Sequence, residues 1–315
     1  MTNATVAIQT QPMQAQTLQN KITAPAISVP TISSSAMLVD LSISHWTGIK
    51  KDKKASEEVT TSKNADMGVA SVSKKLLGDC AELDAIRKFV ANTRNAHYAM
   101  TMPWNNSGLG MLPTKRFFDY QNTITHLQAE FSNLVEKFLA AYEWETAQAQ
   151  IKLGGLHNSD EYPTIERLRG RFRFSVSYIP LPESGDWRVD MEKETTETLK
   201  QHYETYYAEA LNTAMNDVWQ RVHKALSNMS ERLDYADDTN KKIFRDSLVN
   251  NVIDICDLLR DFNVSGSSQM EAMRVQLEDA LRGVTPDALR EDAHLRAQTK
   301  RNVDDILKSL PSLDI

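Results

Sequence analysis

Glycine is scarce in this chain, 11 of 315 residues, and that scarcity disfavours a loop-rich β architecture. Cysteine is scarcer still. Cys80 and Cys256 are the only two, and neither belongs to a C-x-x-C or Cys/His cluster. A disulfide framework is thereby excluded, and a reducing compartment, the cytoplasm, is expected. No apolar run approaches the roughly 18 residues needed to span a bilayer. Met1 to Pro30 is polar and lacks the apolar region of a signal peptide, so neither membrane insertion nor Sec export is expected. A basic excess is missing too: 36 Lys and Arg stand against 42 Asp and Glu, a net charge of −6, which argues against bulk nucleic-acid binding. The chain has no G-x-x-x-x-G-K-[ST], no G-x-G-x-x-G after a strand, no G-x-S-x-G and no H-E-x-x-H.

What is present is helical periodicity. Residues 1–35, rich in Gln, Thr, Ser and Ala, carry no sustained pattern and read as a disordered tail, which leaves 36–315 as a single elongated helical domain. Val39, Leu41 and Ile43 alternate with polar residues as in a half-buried strand, and Lys50 to Asp66 reads as a solvated basic linker. Helix is predicted from about Ala70 to Ala99, with Val72, Leu76, Leu83, Ile86 and Val90 on one stripe; Met102 to Gly108 then punctuates the chain.

The cleanest signal runs from Thr114 to Lys152. Phe117, Tyr120, Ile124, Leu127, Phe131, Leu134 and Phe138 alternate spacings of three and four, the 3.5-residue period of a coiled-coil helix about 58 Å long. A second long helix is predicted from Glu192 to Asp234, antiparallel to the first, with shorter ones over 241–262, 267–281 and 286–310. Thr164 lies within the opening of a short predicted helix, and Ser267 and Thr285 stand before predicted helices as N-caps. Phe172, Phe174, Val176 and Tyr178 alternate with Arg171, Arg173, Ser175 and Ser177, and Pro180 to Gly185 turns the chain into Trp187-Arg188-Val189. A hairpin over about 172–190 needs a third strand to be stable, and 37–45 supplies it. The expected fold is thus mainly α: long antiparallel coiled-coil-like helices with a small three-stranded β-sheet.

Candidate chemistry is thin. His126 and Glu130 lie four apart, but two ligands without a third do not make a metal site, and no cofactor is expected. Lys50, Lys51, Lys53 and Lys54, preceded by His45 and Trp46, match the ammonium-plus-stacking device of single-strand binding, though a short charge run is ordinarily a solvated linker. Arg171, Arg173 and Arg188 would converge on the hairpin, either for phosphate contact or to pair with neighbouring carboxylates such as Glu161 and Glu166.

Leu41 to Gly48 followed by lysines, Glu161-Tyr162-Pro163, Phe172-Arg173-Phe174, Pro180-Leu181-Pro182 and Asp186-Trp187-Arg188-Val189 resemble an uncharacterised family of phage and bacterial proteins catalogued as domain of unknown function 3150, over roughly residues 37 to 310. The resemblance implies a phage or prophage origin, so that the cytoplasm would be the host's. It also implies gene neighbours encoding a MoxR-like AAA+ ATPase and a von Willebrand A protein. The expectation is a non-enzymatic interaction protein, either self-assembling into a homo-oligomer through its helical seam or acting as an adaptor to such an ATPase. A phage nucleic-acid-binding protein acting in DNA metabolism is the alternative.

Overall fold

A computed structural model describes residues 34–181, 193–235 and 245–311, with the side chains of 193–197 excepted. The order is β1 (Ala36–Ser44), β2 (Ile49–Asp52), α1 (Lys53–Ser62), β3 (Val72–Lys75), α2 (Ala81–Met100), β4 (Met102–Pro103), β5 (Gly110–Pro113), α3 (Phe117–Leu153), α4 (Ile165–Arg169), β6 (Arg173–Pro180), α5 (Lys193–Leu233), α6 (Ser247–Phe262), α7 (Ser268–Leu281), α8 (Pro286–Glu291) and α9 (Ala293–Ser309). The protein is mainly helical. No helix among the described residues is long and apolar enough to cross a membrane.

The sheet is larger than the sequence pattern indicates. Its order is β4-β5-β1-β6, four antiparallel strands, and β2-β3 form a separate ribbon. The expected pairing of the two alternating segments is present, from Met37 opposite Pro180 to Ser44 opposite Arg173. The other edge of β1 is taken by β5, from Ala36 opposite Pro113 to Val39 opposite Gly110. Residues 102–108 read as punctuation in the sequence because β4 is only two residues long. The hairpin is closed by Asn105, whose Oδ1 accepts from Ser107 N at 3.1 Å and Leu109 N at 3.2 Å. The strand expected around Trp187 lies outside the described residues, as do residues 1–33 of the expected tail. Its last two residues are held: Thr114 donates from N to Ser35 O (2.9 Å) and from Oγ1 to Ser34 O (3.3 Å).

Lys50 to Asp66 is not a linker. Ile49–Asp52 pairs with Val72–Lys75, Leu76 N adds a further bond to Gly48 O (2.7 Å), and Asp52 Oδ1 caps α1 by accepting from Ala55 N (3.1 Å). The inward positions of α1 are Ser56 and Thr60, so no apolar stripe betrays it. Ser56 Oγ accepts from Val72 N at 2.9 Å, tying α1 to β3. The predicted helix from Ala70 accordingly begins only at Ala81, once Gly78, at φ +62°, has turned the chain. The caps read from sequence, Ser267 and Thr285, accept from the N–H groups of Met270 and Ala288, and Thr164, expected within the opening of its helix, caps α4 by accepting from Arg167 N. The predicted 286–310 helix is two, because Asp292 caps α9 through His294 N and Leu295 N.

Alternation divides the sheet's burial. Met37, Val39, Leu41 and Ile43 face α2 and α3, whereas Ala36, Leu38, Met102 and Met111 join the core of α5 and the C-terminal helices. On that second face Asp40, Ser42, Ser44, Arg173, Ser175 and Ser177 remain exposed. The two long helices therefore serve different cores: α3 packs on α2, whereas α5 packs on α6, α9 and β4. This corrects the expected pairing of α3 with α5.

Candidate phosphate-binding groove

All seven stripe residues of α3 point into the chain. Phe117 and Tyr120 meet Tyr178 edge-on, with ring centroids 5.3 and 6.3 Å apart, and Ile124 packs with Val39 and Leu112. Phe131 sits between Phe174 (5.7 Å) and Phe89 (6.5 Å), and Phe138 meets Phe172 at 5.7 Å. Leu127 and Leu134 are half-buried alongside. A sheet and one short-loop helix impose the same 3.5-residue burial that a partner helix would, which is why periodicity alone reads as a coiled coil. Tyr120 also holds the buried His97, its OH 2.8 Å from Nδ1. Burial pushes the histidine down to about 4 and the phenol upward.

The lysines have a different fate. Lys50, Lys51, Lys53 and Lys54 line one groove of about 520 Å³, whose opposite wall is Gly155 to Asn158 and Glu161 from the loop after α3. Its floor is Lys74 on β3, a lysine buried to 7% exposure. Its Nζ stands 2.9 Å from Asp52 Oδ2 and 2.8 Å from Glu161 Oε2, and donates to Leu156 O at 2.6 Å. Hydrogen bonds to Glu161, then Asp52, hold the ammonium above its usual range; the bond from Lys74, helped by the Ala55 N–H, holds Asp52 below its own.

Lys50 adds a second cation 3.6 Å from Glu161 Oε1. Both carboxylates are thus neutralised from within. Lys51, Lys53 and Lys54 are exposed, make no ion pair among the described residues, and share the groove wall with Glu58 as the remaining acid. Lys53 and Lys54 occupy the first turn of α1, where unpaired backbone N–H groups add positive potential.

Other sequence candidates separate from this site. Trp46 is partly buried and packs on the α3 core, its ring centroid 6.1 Å from Phe138 and 6.0 Å from Tyr142, and it does not line the groove. Arg171 and Arg173 are exposed at the Ser44 end of β6 but do not line the groove; Arg188 lies outside the described residues. Arg169 is held by Glu136, Nη2 to Oε2 at 3.0 Å. Glu161, expected beside the hairpin arginines, pairs with Lys74 and Lys50 instead, and Lys74 itself escapes sequence reading because a lysine's burial depends on carboxylates brought in from β2 and from the loop after α3. Nothing local in Val72-Ser73-Lys74-Lys75 announces it. The chain matches no known protein-family model, no curated protein and no solved structure.

Proposed function

We propose that this chain is a non-enzymatic binding protein that takes a phosphate-bearing polymer, single-stranded nucleic acid foremost, along the lysine-lined groove of β2 and α1. The observation that carries the reading is the convergence of Lys51, Lys53 and Lys54, none of them ion-paired among the described residues, over a floor whose carboxylates are already neutralised by Lys74 and Lys50. Such a wall attracts phosphates without the desolvation cost of burying lone cations. The acidic net charge of the chain makes the attraction local.

Fluorescence anisotropy with a labelled single-stranded oligonucleotide across a salt series tests this. Changing Lys51, Lys53 and Lys54 together to Gln should weaken binding at low salt at least tenfold. It should also reduce the slope of log K against log salt by about 2, given roughly 0.7 per phosphate contact. Lys137→Gln, an exposed lysine of α3, should change neither. Equal binding by the triple variant and the parent would end the groove reading.

A second reading, docking to a further copy of the chain or to an AAA+ ATPase, draws on Trp144 and Ile151. They are 62% and 78% exposed and seven residues apart on one face of α3. Sizing at matched concentrations tests its self-association half: a Trp144→Ala protein should dissociate where the parent associates, and a strictly monomeric parent removes it.

A further inference from the structure

Sequence spacing places Cys80 in no C-x-x-C or Cys/His cluster, but the fold sets two carboxylates beside it. It stands immediately before α2, Glu82 lies in the first turn of that helix, and Glu145 arrives from the last third of α3. One donor atom from each lies within 4.8 Å of the other two. Cys80 Sγ is 3.6 Å from Glu82 Oε2. That separation is close to the S···O edge of a tetrahedral zinc site, about 3.6 Å for Zn–S of about 2.3 Å and Zn–O of about 2.1 Å.

A second observation is independent of this clustering. Glu145 is only 7% exposed, and its Oε2 is fully buried with no hydrogen-bond partner. The Lys152 ammonium, 3.9 Å away, is too distant to donate, and its side chain is 43% exposed. A buried carboxylate oxygen facing a thiol and a second carboxylate is destabilising unless a cation joins them. Glu82 is half-buried, so the cluster has an entry path.

We propose that Cys80 Sγ, Glu82 and Glu145 bind a divalent cation of the zinc class. The thiolate selects zinc or cobalt over magnesium and calcium, whose preferred donors are all oxygen. On binding, the Cys80 S–H bond is replaced by a sulfur–metal bond and the proton leaves to water. Glu145 closes the polyhedron, and a water takes the fourth position. The ion then ties the start of α2 to the end of α3. The site is separate from the groove and stands or falls independently of it.

The test titrates cobalt(II) into chelator-stripped full-length protein and reads the thiolate-to-cobalt charge-transfer absorption in the near ultraviolet, with zinc as competitor. The expected result is a band saturating at one cobalt per chain and displaced by zinc, kept in Cys256→Ser and lost in Cys80→Ser. Glu145→Gln should weaken cobalt binding tenfold or more. Cys256 belongs to the other core, so its variant assigns the band to Cys80 even where Cys80→Ser folds poorly. No band in the folded parent with cobalt in large excess, a band lost in Cys256→Ser, or unchanged affinity in Glu145→Gln would each overturn the proposal.

Discussion

At Phe131 the packing of a single ring can be weighed. The residue is 4% exposed and lies between Phe89 and Phe174, so truncation removes contacts with α2 and β6 together. Phe131→Ala should cost about 3 to 5 kcal/mol in denaturant unfolding, whereas Glu130→Gln, exposed about 100° around the helix, should stay within about 0.5 kcal/mol. His97 supports a prediction of a different kind. Burial depresses it to about 4 against its ordinary 6.5, opposed only weakly by Asp40 on β1, while Tyr120 on α3 holds its Nδ1. The unfolded chain therefore binds a proton that the folded chain refuses. The stability this represents is fully present above pH 6.5 and is lost as pH falls toward 4. Melts between pH 7.5 and 5 should show that decline, and His97→Gln should flatten it. Part should remain, because burial, Arg94 and Arg87 also depress His45. An identical decline in the variant would locate the titration elsewhere.

Elements in this fold are set as much by what the chain turns around as by what it buries. Gly48 adopts φ +60° between β1 and β2, and a Cβ there would lie 2.9 Å from Leu83 Cδ2. The turn that leads into the lysine-bearing ribbon therefore passes Leu83 of α2 only if the position has no side chain. Gly68, at φ +91°, has open space around it. Backbone strain alone should make Gly68→Ala cost about 1 to 2 kcal/mol. Gly48→Ala should cost clearly more, because Leu83, 2% exposed, has little room to move. Comparing the two by denaturant titration separates strain from collision; equal losses would show that Leu83 yields. Gly48→Ala should also weaken oligonucleotide binding, since Lys50 to Lys54 follow directly on the displaced turn.

Across the whole molecule, arginines reinforce the joint that the sheet makes between the two cores. Arg221 of α5 donates to Ala99 O (3.3 Å) and Thr101 O (2.8 Å), satisfying carbonyls at the end of α2, and is itself held by Asp217 at 2.6 Å. Arg116 reaches Asp261 at 3.3 Å, and both guanidinium groups lie over the buried Phe262 ring, 5.6 and 5.7 Å from its centroid. Arg221→Ala should therefore cost about 2 to 3 kcal/mol, the scale of charged hydrogen bonds to backbone. It should also raise hydrogen exchange at the α2 terminus and in α6 while leaving β2–β3 unchanged. Uniform acceleration through the chain would mean that the two halves unfold as one.

Periodicity and capping chemistry carry most of what is legible without a structure. The α3 stripe, the inward residues of β1 and β6, and the caps at Ser267 and Thr285 all follow from local pattern, because a 3.5-residue or two-residue rhythm and a hydroxyl before a helix act within a few residues. What covers a stripe is not local. A sheet surface and a neighbouring helix demand the same rhythm from α3, so only the tertiary structure decides that Phe131 meets β6 and α2 rather than α5. Polar-faced elements escape for the complementary reason: α1 buries Ser56 and Thr60, and β2 is almost wholly exposed, so neither leaves a hydrophobic trace. The groove and the Cys80 cluster belong to the same class. Lys74 with Asp52 and Glu161, and Cys80 with Glu145, are charges and ligands from separate elements, and their meeting is a consequence of chain topology that composition and spacing do not encode.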